Sequence, residues 1–205
     1  MNKKDSFSLA FKHLKKDAVM AFLITKFQNE ITLCDRYDYS SAKALSLLII
    51  EQQVSFKAAI TIKNRFEKLV NGLSDTEICN LKKDSIRAIG ISEKKAECIK
   101  STYFFFLNNN IDFTGMTNKD VANVLCEIKG IGEWTAQMFL IFILFRLDVF
   151  APKDLALINS IKINYSLSNL DKKTLCSFQN NWAPYRTIAS LLLWKSIETK
   201  VFYKN

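Results

Sequence analysis

Glycine, proline and histidine are scarce in this sequence. Its 205 residues include 5 glycines, 2 prolines and 1 histidine. A β-rich fold normally needs many glycines and prolines for its tight turns, so their scarcity favours a mostly helical protein. The single histidine, His13, argues against histidine-based metal binding or acid–base chemistry. We expect His13 to have a surface or packing role.

The cysteines are widely spaced, and no two of them form a CxxC pair. Zinc and iron–sulfur sites usually need clustered cysteines, so we expect neither cofactor. The spacing in a chain of this size also argues against a disulfide framework. We expect small buried hydrophobic residues in a reducing cytosol at all five positions: Cys34, Cys79, Cys98, Cys126 and Cys176.

Long hydrophobic runs are also missing. The longest one, Met138–Phe145, has eight residues before Arg146, whereas a membrane span needs roughly 20. The first 30 residues mix Lys, Asp and Phe, unlike a secretory signal. We therefore expect no membrane partner.

Positive charge is in excess, with 29 Lys+Arg against 20 Asp+Glu and a net charge of +9. Such a balance suits a polyanionic partner, because cations displace the counterions condensed on a phosphate backbone. A solvated lysine surface would give the same composition. Charge alone therefore leaves nucleic-acid binding open.

Apolar residues recur at helical spacing along the chain, which predicts about ten helices with short links. The predicted fold class is all-α. We expect residues 1–205 to form a single domain of two helical lobes, one spanning about 42–145 and the other about 1–41 plus 146–205. Helix starts are predicted at Ser40 or Ser41, at Ser92, and at the capping box Ser74–Glu77. Four of the predicted helices are Ala42–Gln53, Trp134–Arg146, Asp154–Ile163 and Pro184–Glu198.

The segment Leu125–Ala136, LCEIKGIGEWTA, contains two glycines one residue apart. They permit backbone angles closed to other residues and let a phosphate approach main-chain N–H groups without meeting a Cβ. The helix predicted to follow adds unpaired N–H groups and a positive dipole end. Lys129 adds a charge, and Ile131 would pack between the two helices. The segment predicts a phosphate-binding hairpin, although an ordinary helix–helix turn also uses Gly-x-Gly.

This segment, with PKDLAL at residues 152–157, resembles the helix-hairpin-helix element and aspartate of the HhH-GPD DNA glycosylase superfamily. Three more motifs resemble that superfamily, in the same order. IEQQVS at residues 50–55 is similar to its helix end that faces the DNA minor groove. IGIS at 89–92 with KKA at 94–96 is similar to its Leu-Gly-x-x-x-x-Lys-Ala element. WAPYRTIA at 182–189 is similar to a late motif of the alkylation-repair branch.

The resemblance assigns the catalytic role to Asp154, which follows Pro152 at a predicted helix start. A carboxylate there can stabilise a positively charged sugar as the glycosidic bond breaks, or orient or deprotonate the attacking water. Asp is also a common N-cap, and the two roles are compatible. Asp148 matches a family position that is usually structural. Arg186 can reach a carboxylate or a phosphate.

Trp134 decides the subclass that the resemblance implies. Superfamily members that also cut the DNA backbone carry a lysine at this position, and it forms a Schiff base with the sugar. Tryptophan supplies no amine, so the resemblance implies a monofunctional enzyme. Lys129 and Lys153 are amines nearby, but neither falls on the motif's lysine position.

Extruding a base costs a few kcal/mol, and stacking on an aromatic ring offsets part of that cost. The resemblance accordingly gives a minor-groove wedge to Gln53, with Gln52 beside it. It gives the base pocket to Trp134, Trp194 and Met138, although LLLWK around Trp194 also fits a plain core helix. A bacterial alkylation-repair member carries tyrosine where Met138 stands, which leaves the substrate range open.

The remaining implied sites lie on the hairpin. The residues expected to contact the DNA backbone are Lys129, Gly130, Ile131, Gly132 and Thr135. Family members often hold a monovalent cation on hairpin carbonyls, here those near Ile128 and Gly130. No side-chain metal site and no required cofactor are expected.

The resemblance implies a monofunctional DNA glycosylase of base excision repair, with its active site in the cleft between the two lobes. The expected substrates are alkylated purines of the 3-methyladenine and 7-methylguanine type in double-stranded DNA. We expect a cytoplasmic monomer, nucleoid-associated if bacterial, without the family's amino-terminal β-domain. Two alternatives stay open: a glycosylase of the same fold for an oxidised or deaminated base, and a non-catalytic helix-hairpin-helix DNA-binding protein.

Overall fold

A computed structural model describes residues 3–33 and 40–204. Within these residues the protein is all-helical and contains no strand, which confirms the predicted fold class. None of the described helices has the length and apolar character needed to cross a membrane. The helices are α1 (Lys3–Leu14), α2 (Ala18–Phe27), α3 (Ser41–Glu51), α4 (Phe56–Val70), α5 (Asp75–Asn80), α6 (Lys83–Arg87), α7 (Glu93–Asn108), α8 (Asn118–Cys126), α9 (Glu133–Phe142), α10 (Leu155–Asn164), α11 (Lys172–Trp182) and α12 (Arg186–Thr199).

The chain divides into two compact units. Unit 1 comprises Met1–Cys34 and Phe145–Asn205, and unit 2 comprises Asp35–Leu144. Inside unit 2, α7 packs against α3, α5 and α6, while α9 packs against α8 and α3. Inside unit 1, α12 packs against α2 and α10 and also contacts α1 and α11. The helices α3 and α12 are buried along most of their length, so each forms the centre of its unit.

Serine side chains begin helices at the positions that the sequence predicts. Ser40 and Ser92 each accept a hydrogen bond, at 3.3 Å, from the amide three residues further along. Ser74 and Glu77 form the predicted capping box at the start of α5. These bonds satisfy amides that the first turn of a helix leaves without an internal acceptor.

Two helices end earlier than the sequence predicts, and a left-handed residue follows each end within three residues. Helix α9 ends at Phe142 rather than Arg146, and Phe145 has a φ of 53°. Helix α3 ends at Glu51, and Gln53 also has a φ of 53°. A left-handed residue cannot continue an α-helix, so the chain turns at both places. Helix α6 was not predicted, because its 5 residues are too few for a periodic pattern.

The predicted burial of the cysteines is wrong for two of them. Cys98 is buried and Cys79 is intermediate, but Cys126 and Cys176 are exposed. Cys34 lies outside the described residues. Among the described residues, no group of three or more His, Cys, Asp or Glu side chains could hold a metal ion.

His13, near the end of α1, contacts α11 and the residue that precedes α12 in unit 1. The Nε2 atom of His13 lies 2.9 Å from the carbonyl oxygen of Asn181, and its ring centroid is 5.5 Å from that of Tyr185. Trp182 is fully buried and stacks on Phe178 at 5.4 Å between centroids. The packing role predicted for His13 is confirmed.

Candidate functional site

The turn between α8 and α9 in unit 2 is a tight hairpin. The amide of Ile131 donates to the carbonyl of Ile128 at 3.0 Å, and the Ile131 side chain is 6% exposed. Lys129, Gly130 and Gly132 are exposed. The Ile131 side chain is an anchor of the turn, as predicted. Its amide is engaged inside the turn, which works against the predicted contact of Ile131 with a nucleic-acid backbone.

Gly130 is required by both conformation and packing. Its φ is +95°, and a Cβ at this position would lie 2.8 Å from Sγ and 3.1 Å from Cβ of Cys98 on α7. Cys98 is 5% exposed. Burial raises the pKa of its thiol to about 11, so it packs as a small apolar group rather than a reactive thiolate. The hairpin is therefore seated directly on α7.

At Gly132, neither the backbone conformation nor the packing requires a glycine. Its φ of −109° and ψ of 174° are open to any residue, so Gly132 does not use the conformational freedom that a glycine permits. A Cβ on Gly132 would meet no atom within 4 Å. Gly132 is the N-cap of α9 and supplies no side-chain hydrogen bond to the first turn. The result is a helix start whose main chain an external anion can approach.

Thr135 and Gln52 bind each other. The Nε2 atom of Gln52 donates to Oγ1 of Thr135 at 2.7 Å, and Thr135 is 3% exposed. The side chain of Thr135 is therefore engaged within the protein, so its predicted contact with the DNA backbone would use its main chain. The Gln52 side chain ties the end of α3 to α9, and its help in a wedge stays a prediction.

Gln53 occupies an exposed turn between α3 and α4. Its φ of 53° lies in the left-handed region, which is uncommon for residues other than glycine and asparagine. Helix α4 begins three residues later at Phe56, and Ser55 caps it by accepting a 3.3 Å hydrogen bond from the Ala58 amide. The two flanking helices thus present the Gln53 side chain to solvent on a short, constrained turn.

Lys95 is a residue whose role the sequence left unassigned, although it belongs to the KKA motif. Its Nζ donates to the carbonyl oxygens of Ile50 at 2.9 Å and Gln52 at 2.6 Å. Burial lowers the pKa of Lys95, which fits an ammonium group drawn away from bulk water. The lysine holds the end of α3 immediately before Gln53.

Asp154 lies in unit 1, at the start of α10. Its amide donates to the carbonyl of Ala151 at 3.1 Å, closing the turn that contains Pro152. Its Oδ1 accepts from the amide of Leu157 at 2.9 Å and from Nε1 of Trp194 at 3.1 Å. The predicted N-cap role is confirmed. The two hydrogen bonds fix the plane of the carboxylate from two helices, α10 and α12.

The aromatic and sulfur side chains expected in a base pocket differ in accessibility. Trp194 is half-buried, and its indole N–H binds Asp154. Trp134 is half-buried as the second residue of α9. Met138 is 4% exposed, so its side chain has little surface for a stacked base. Trp194 thus contacts the candidate carboxylate, an interaction that LLLWK alone does not reveal.

Asp148 has a structural contact in unit 1. Its Oδ1 lies 3.5 Å from Nε of Arg186 and accepts the Arg186 amide at 3.4 Å. Arg186 Nε also donates to the carbonyl of Gln179 at 3.0 Å. Of the two partners left open for Arg186, the structure contains the carboxylate. Asp148 therefore stabilises the start of α12.

Comparison with known sequences gives consistent matches. The family model described as "HhH-GPD superfamily base excision DNA repair protein" matches residues 47–184. DNA-3-methyladenine glycosylase 1 of Schizosaccharomyces pombe is 32% identical over 156 residues, covering 72% of this chain and 68% of that protein. A Bacillus subtilis protein is 31% identical over 173 residues, covering 78% of this chain. This match spans only 60% of the Bacillus protein.

Comparison with solved structures also gives a match. The 3-methyladenine DNA glycosylase of S. pombe, solved in complex with abasic DNA, superposes with a TM-score of 0.85 at 28% sequence identity. The match covers 95% of this chain and 99% of that one.

Proposed function

The chain belongs to the HhH-GPD superfamily of base excision DNA repair proteins, and we propose that it is a monofunctional DNA glycosylase for alkylated purines of the 3-methyladenine and 7-methylguanine type. The observation that carries this proposal is Asp154. Its carboxylate is held by the Leu157 amide and the Trp194 indole at the start of α10. Relatives named as 3-methyladenine glycosylases support the lesion class.

The hairpin is the segment proposed to bind the DNA backbone. Gly132 leaves the start of α9 open, and a phosphate placed there would meet first-turn amides and the positive end of the helix dipole. The exposed ammonium of Lys129 adds a point charge on the turn. Contacts of this kind carry little sequence information, so we expect weak sequence preference and affinity that falls steeply with salt.

Gln53 is the proposed wedge. It stands on an exposed turn with left-handed backbone, and its side chain would occupy the gap that the extruded nucleotide leaves. Extrusion costs a few kcal/mol, so a group that fills the vacated space shifts the equilibrium toward the flipped state.

Asp154 is the proposed catalytic residue in the chemical step. The C1′–N bond breaks, and its electron pair leaves with the purine. An alkylated purine that carries positive charge therefore departs as a neutral base. The carboxylate stabilises the positive charge that develops on the sugar. A water oxygen then bonds to C1′ and its proton passes to the carboxylate, leaving an abasic site.

Trp134 supports the monofunctional assignment and the cationic substrate. It supplies no amine for a Schiff base, so strand cleavage has no nucleophile at this position. Trp134 and Trp194 each offer an electron-rich ring, and such faces attract a positively charged purine more than a neutral one. Both rings are half-buried, which leaves part of each available for a base.

We further propose that a monovalent cation binds the main-chain carbonyls near Ile128 and Gly130 and bridges to a DNA phosphate. The Ile128 carbonyl accepts one hydrogen bond, from the Ile131 amide, and a carbonyl oxygen has two lone pairs. No other cofactor enters the proposed reaction.

We propose that the protein acts as a cytoplasmic monomer on double-stranded DNA.

A panel of duplexes tests the function directly. Each duplex carries one methylated, oxidised or deaminated base, and chromatography measures the free base released. We expect release from methylated purines, with the strand intact until alkali is added. Release only from oxidised or deaminated bases would select the alternative substrate class. Strand cutting without alkali would contradict the monofunctional assignment.

Gly132→Ala is expected to weaken DNA binding without weakening the fold. The backbone at Gly132 suits any residue and a Cβ meets nothing within 4 Å, so the melting temperature should stay unchanged. A methyl group beside the α9 amides keeps a phosphate from its closest approach, and we expect about tenfold lower affinity for duplex DNA. Fluorescence anisotropy and thermal unfolding measure the two properties. Unchanged affinity would contradict the proposed phosphate contact.

Trp194→Phe is expected to slow base release while preserving most of the ring surface. The variant removes the 3.1 Å hydrogen bond to Oδ1 of Asp154. A hydrogen bond to a charged group contributes about 1.5–3 kcal/mol, so we expect about a 10- to 100-fold lower single-turnover rate. DNA affinity should change little. A rate equal to that of the wild type would exclude a role of the indole N–H in holding the carboxylate.

A further inference from the structure

Lys95 joins helix α7 to the end of α3 through its side chain. Its Nζ donates to the carbonyls of Ile50 and Gln52 at 2.9 and 2.6 Å. Carbonyls in the last turn of a helix have no internal donor, and they lie at the negative end of the helix dipole. An ammonium group at this place therefore supplies the missing hydrogen-bond donors and also a positive charge at the negative end of the dipole. The bonds fix the direction in which the chain leaves α3.

The chain leaves α3 directly into Gln53, the proposed wedge. This residue holds a left-handed φ of 53° and is exposed. A non-glycine residue keeps such a conformation only where the surrounding structure imposes it. Two anchors adjoin it: Lys95 holds the Gln52 carbonyl, and the Gln52 side chain binds Thr135 at 2.7 Å.

Helix α7 also packs against the hairpin. Cys98 lies three residues after Lys95 on α7, and its Sγ would be 2.8 Å from a Cβ on Gly130. Helix α7 thus contacts both the wedge turn and the proposed phosphate-binding turn. Burial of the Lys95 ammonium has a desolvation cost, shown by its lowered pKa, which a lysine serving only solubility would not incur.

We propose that Lys95 is a positioning residue for base extrusion. It holds the wedge turn of Gln52 and Gln53 in a fixed place relative to the hairpin. The inference rests on the proposed glycosylase function and adds a residue that acts before the chemical step. Its loss should impair flipping of the damaged base more than binding to DNA.

Lys95→Met tests this role, because methionine keeps much of the side-chain length and removes every donor. We expect about a 10- to 100-fold lower single-turnover rate on a methylated purine in a fully paired duplex, the range for losing hydrogen bonds to a charged group. The loss should shrink when the same lesion stands opposite a mismatched base, because extrusion then costs less. The fluorescence rise of 2-aminopurine at the target site, a signature of unstacking, should fall in parallel.

Lys100→Met is the matched control. Lys100 also lies on α7 and also donates to two carbonyls at the end of a helix, here α5, those of Cys79 at 2.6 Å and Leu81 at 2.5 Å. Losing it should cost similar stability and leave the 2-aminopurine signal intact. Lys95→Arg retains a cation with several donors, so we expect it to recover much of the flipping signal.

The outcomes separate the positioning role from the proposed function. A full 2-aminopurine signal in Lys95→Met overturns the positioning role, whatever happens to base release. Equal losses of flipping in the Lys95 and Lys100 variants do so as well, because general destabilisation then explains both. Wild-type protein that flips the target but releases no base from any lesion contradicts the glycosylase proposal alone. Wild-type protein that does neither contradicts both proposals.

Discussion

Replacing Asp154 by asparagine is expected to lower the rate of base release by about 10²- to 10⁴-fold, the range for losing a charge-stabilising or proton-accepting group. Asparagine carries no negative charge to stabilise the sugar cation and is a poor base toward water. Single-turnover excision from a methylated duplex measures the effect. If the variant releases base at the rate of an active wild type, Asp154 is not the catalytic group. If the wild type itself releases no base, the non-catalytic alternative is favoured.

The same substitution should leave the fold intact. Asparagine is about as good an N-cap as aspartate. Its Oδ1 can still accept from the Leu157 amide and from the Trp194 indole, the two hydrogen bonds that hold Asp154. The melting temperature and the affinity for duplex DNA should therefore stay close to those of the wild type. A large fall in either would show that the lost rate reflects misfolding.

Asp171→Asn is the matched control in the same unit. Asp171 is the N-cap of α11 and accepts the Thr174 amide at 2.7 Å. Both carboxylates thus cap a helix by accepting the amide three residues later, and at Asp171 hydrogen bonding from the backbone lowers the pKa of the carboxyl. The same change of chemistry at this cap should leave base release unaltered. Loss of activity in both variants would point to the caps rather than to the catalytic carboxylate.

Local features of the fold were predictable because their causes lie within a few residues. A helix start depends on one serine and the amide three residues later, as at Ser40 and Ser92. The capping box of Ser74 and Glu77 has the same short range. Asp154 was predictable as an N-cap for this reason, since it binds the amide of Leu157.

Contacts between helices were not predictable in the same way. Gln52 and Thr135 are 83 positions apart, and Lys95 and Gln52 are 43 apart. Neither spacing has a periodic signature, because the pairing depends on how α3, α7 and α9 pack. The sequence therefore placed Gln52 in a wedge and Thr135 against DNA, whereas packing joins their side chains.

The two hairpin glycines show where a motif and its physical cause separate. Sequence reasoning gave both residues the same purpose, namely unusual backbone angles and room for a phosphate. Only Gly130 has a positive φ, and only Gly130 is crowded by Cys98. Gly132 has ordinary angles and open space. One glycine thus serves the fold, and the other keeps the helix start accessible.

Gly130→Ala is expected to cause the largest loss of stability of any single methyl group added to the hairpin. A left-handed conformation costs an alanine about 1–2 kcal/mol. The new Cβ would also lie 2.8 Å from Sγ and 3.1 Å from Cβ of Cys98, and such overpacking adds about 1–3 kcal/mol. We expect the free energy of unfolding to fall by about 2–5 kcal/mol, the sum of the two effects, as measured by chemical denaturation.

Gly72→Ala separates the two costs. Gly72 also has a positive φ, +76°, and lies in the same unit, but a Cβ there meets no atom within 4 Å. Its substitution should lower stability by about 1–2 kcal/mol, the conformational cost alone. The difference between the variants then measures the clash with Cys98. Equal losses would mean that α7 yields to the new methyl group, and that the seat of the hairpin on α7 is not rigid. A larger loss at Gly130, together with weaker DNA binding, would show that the packing against Cys98 holds the phosphate-binding turn in its working shape.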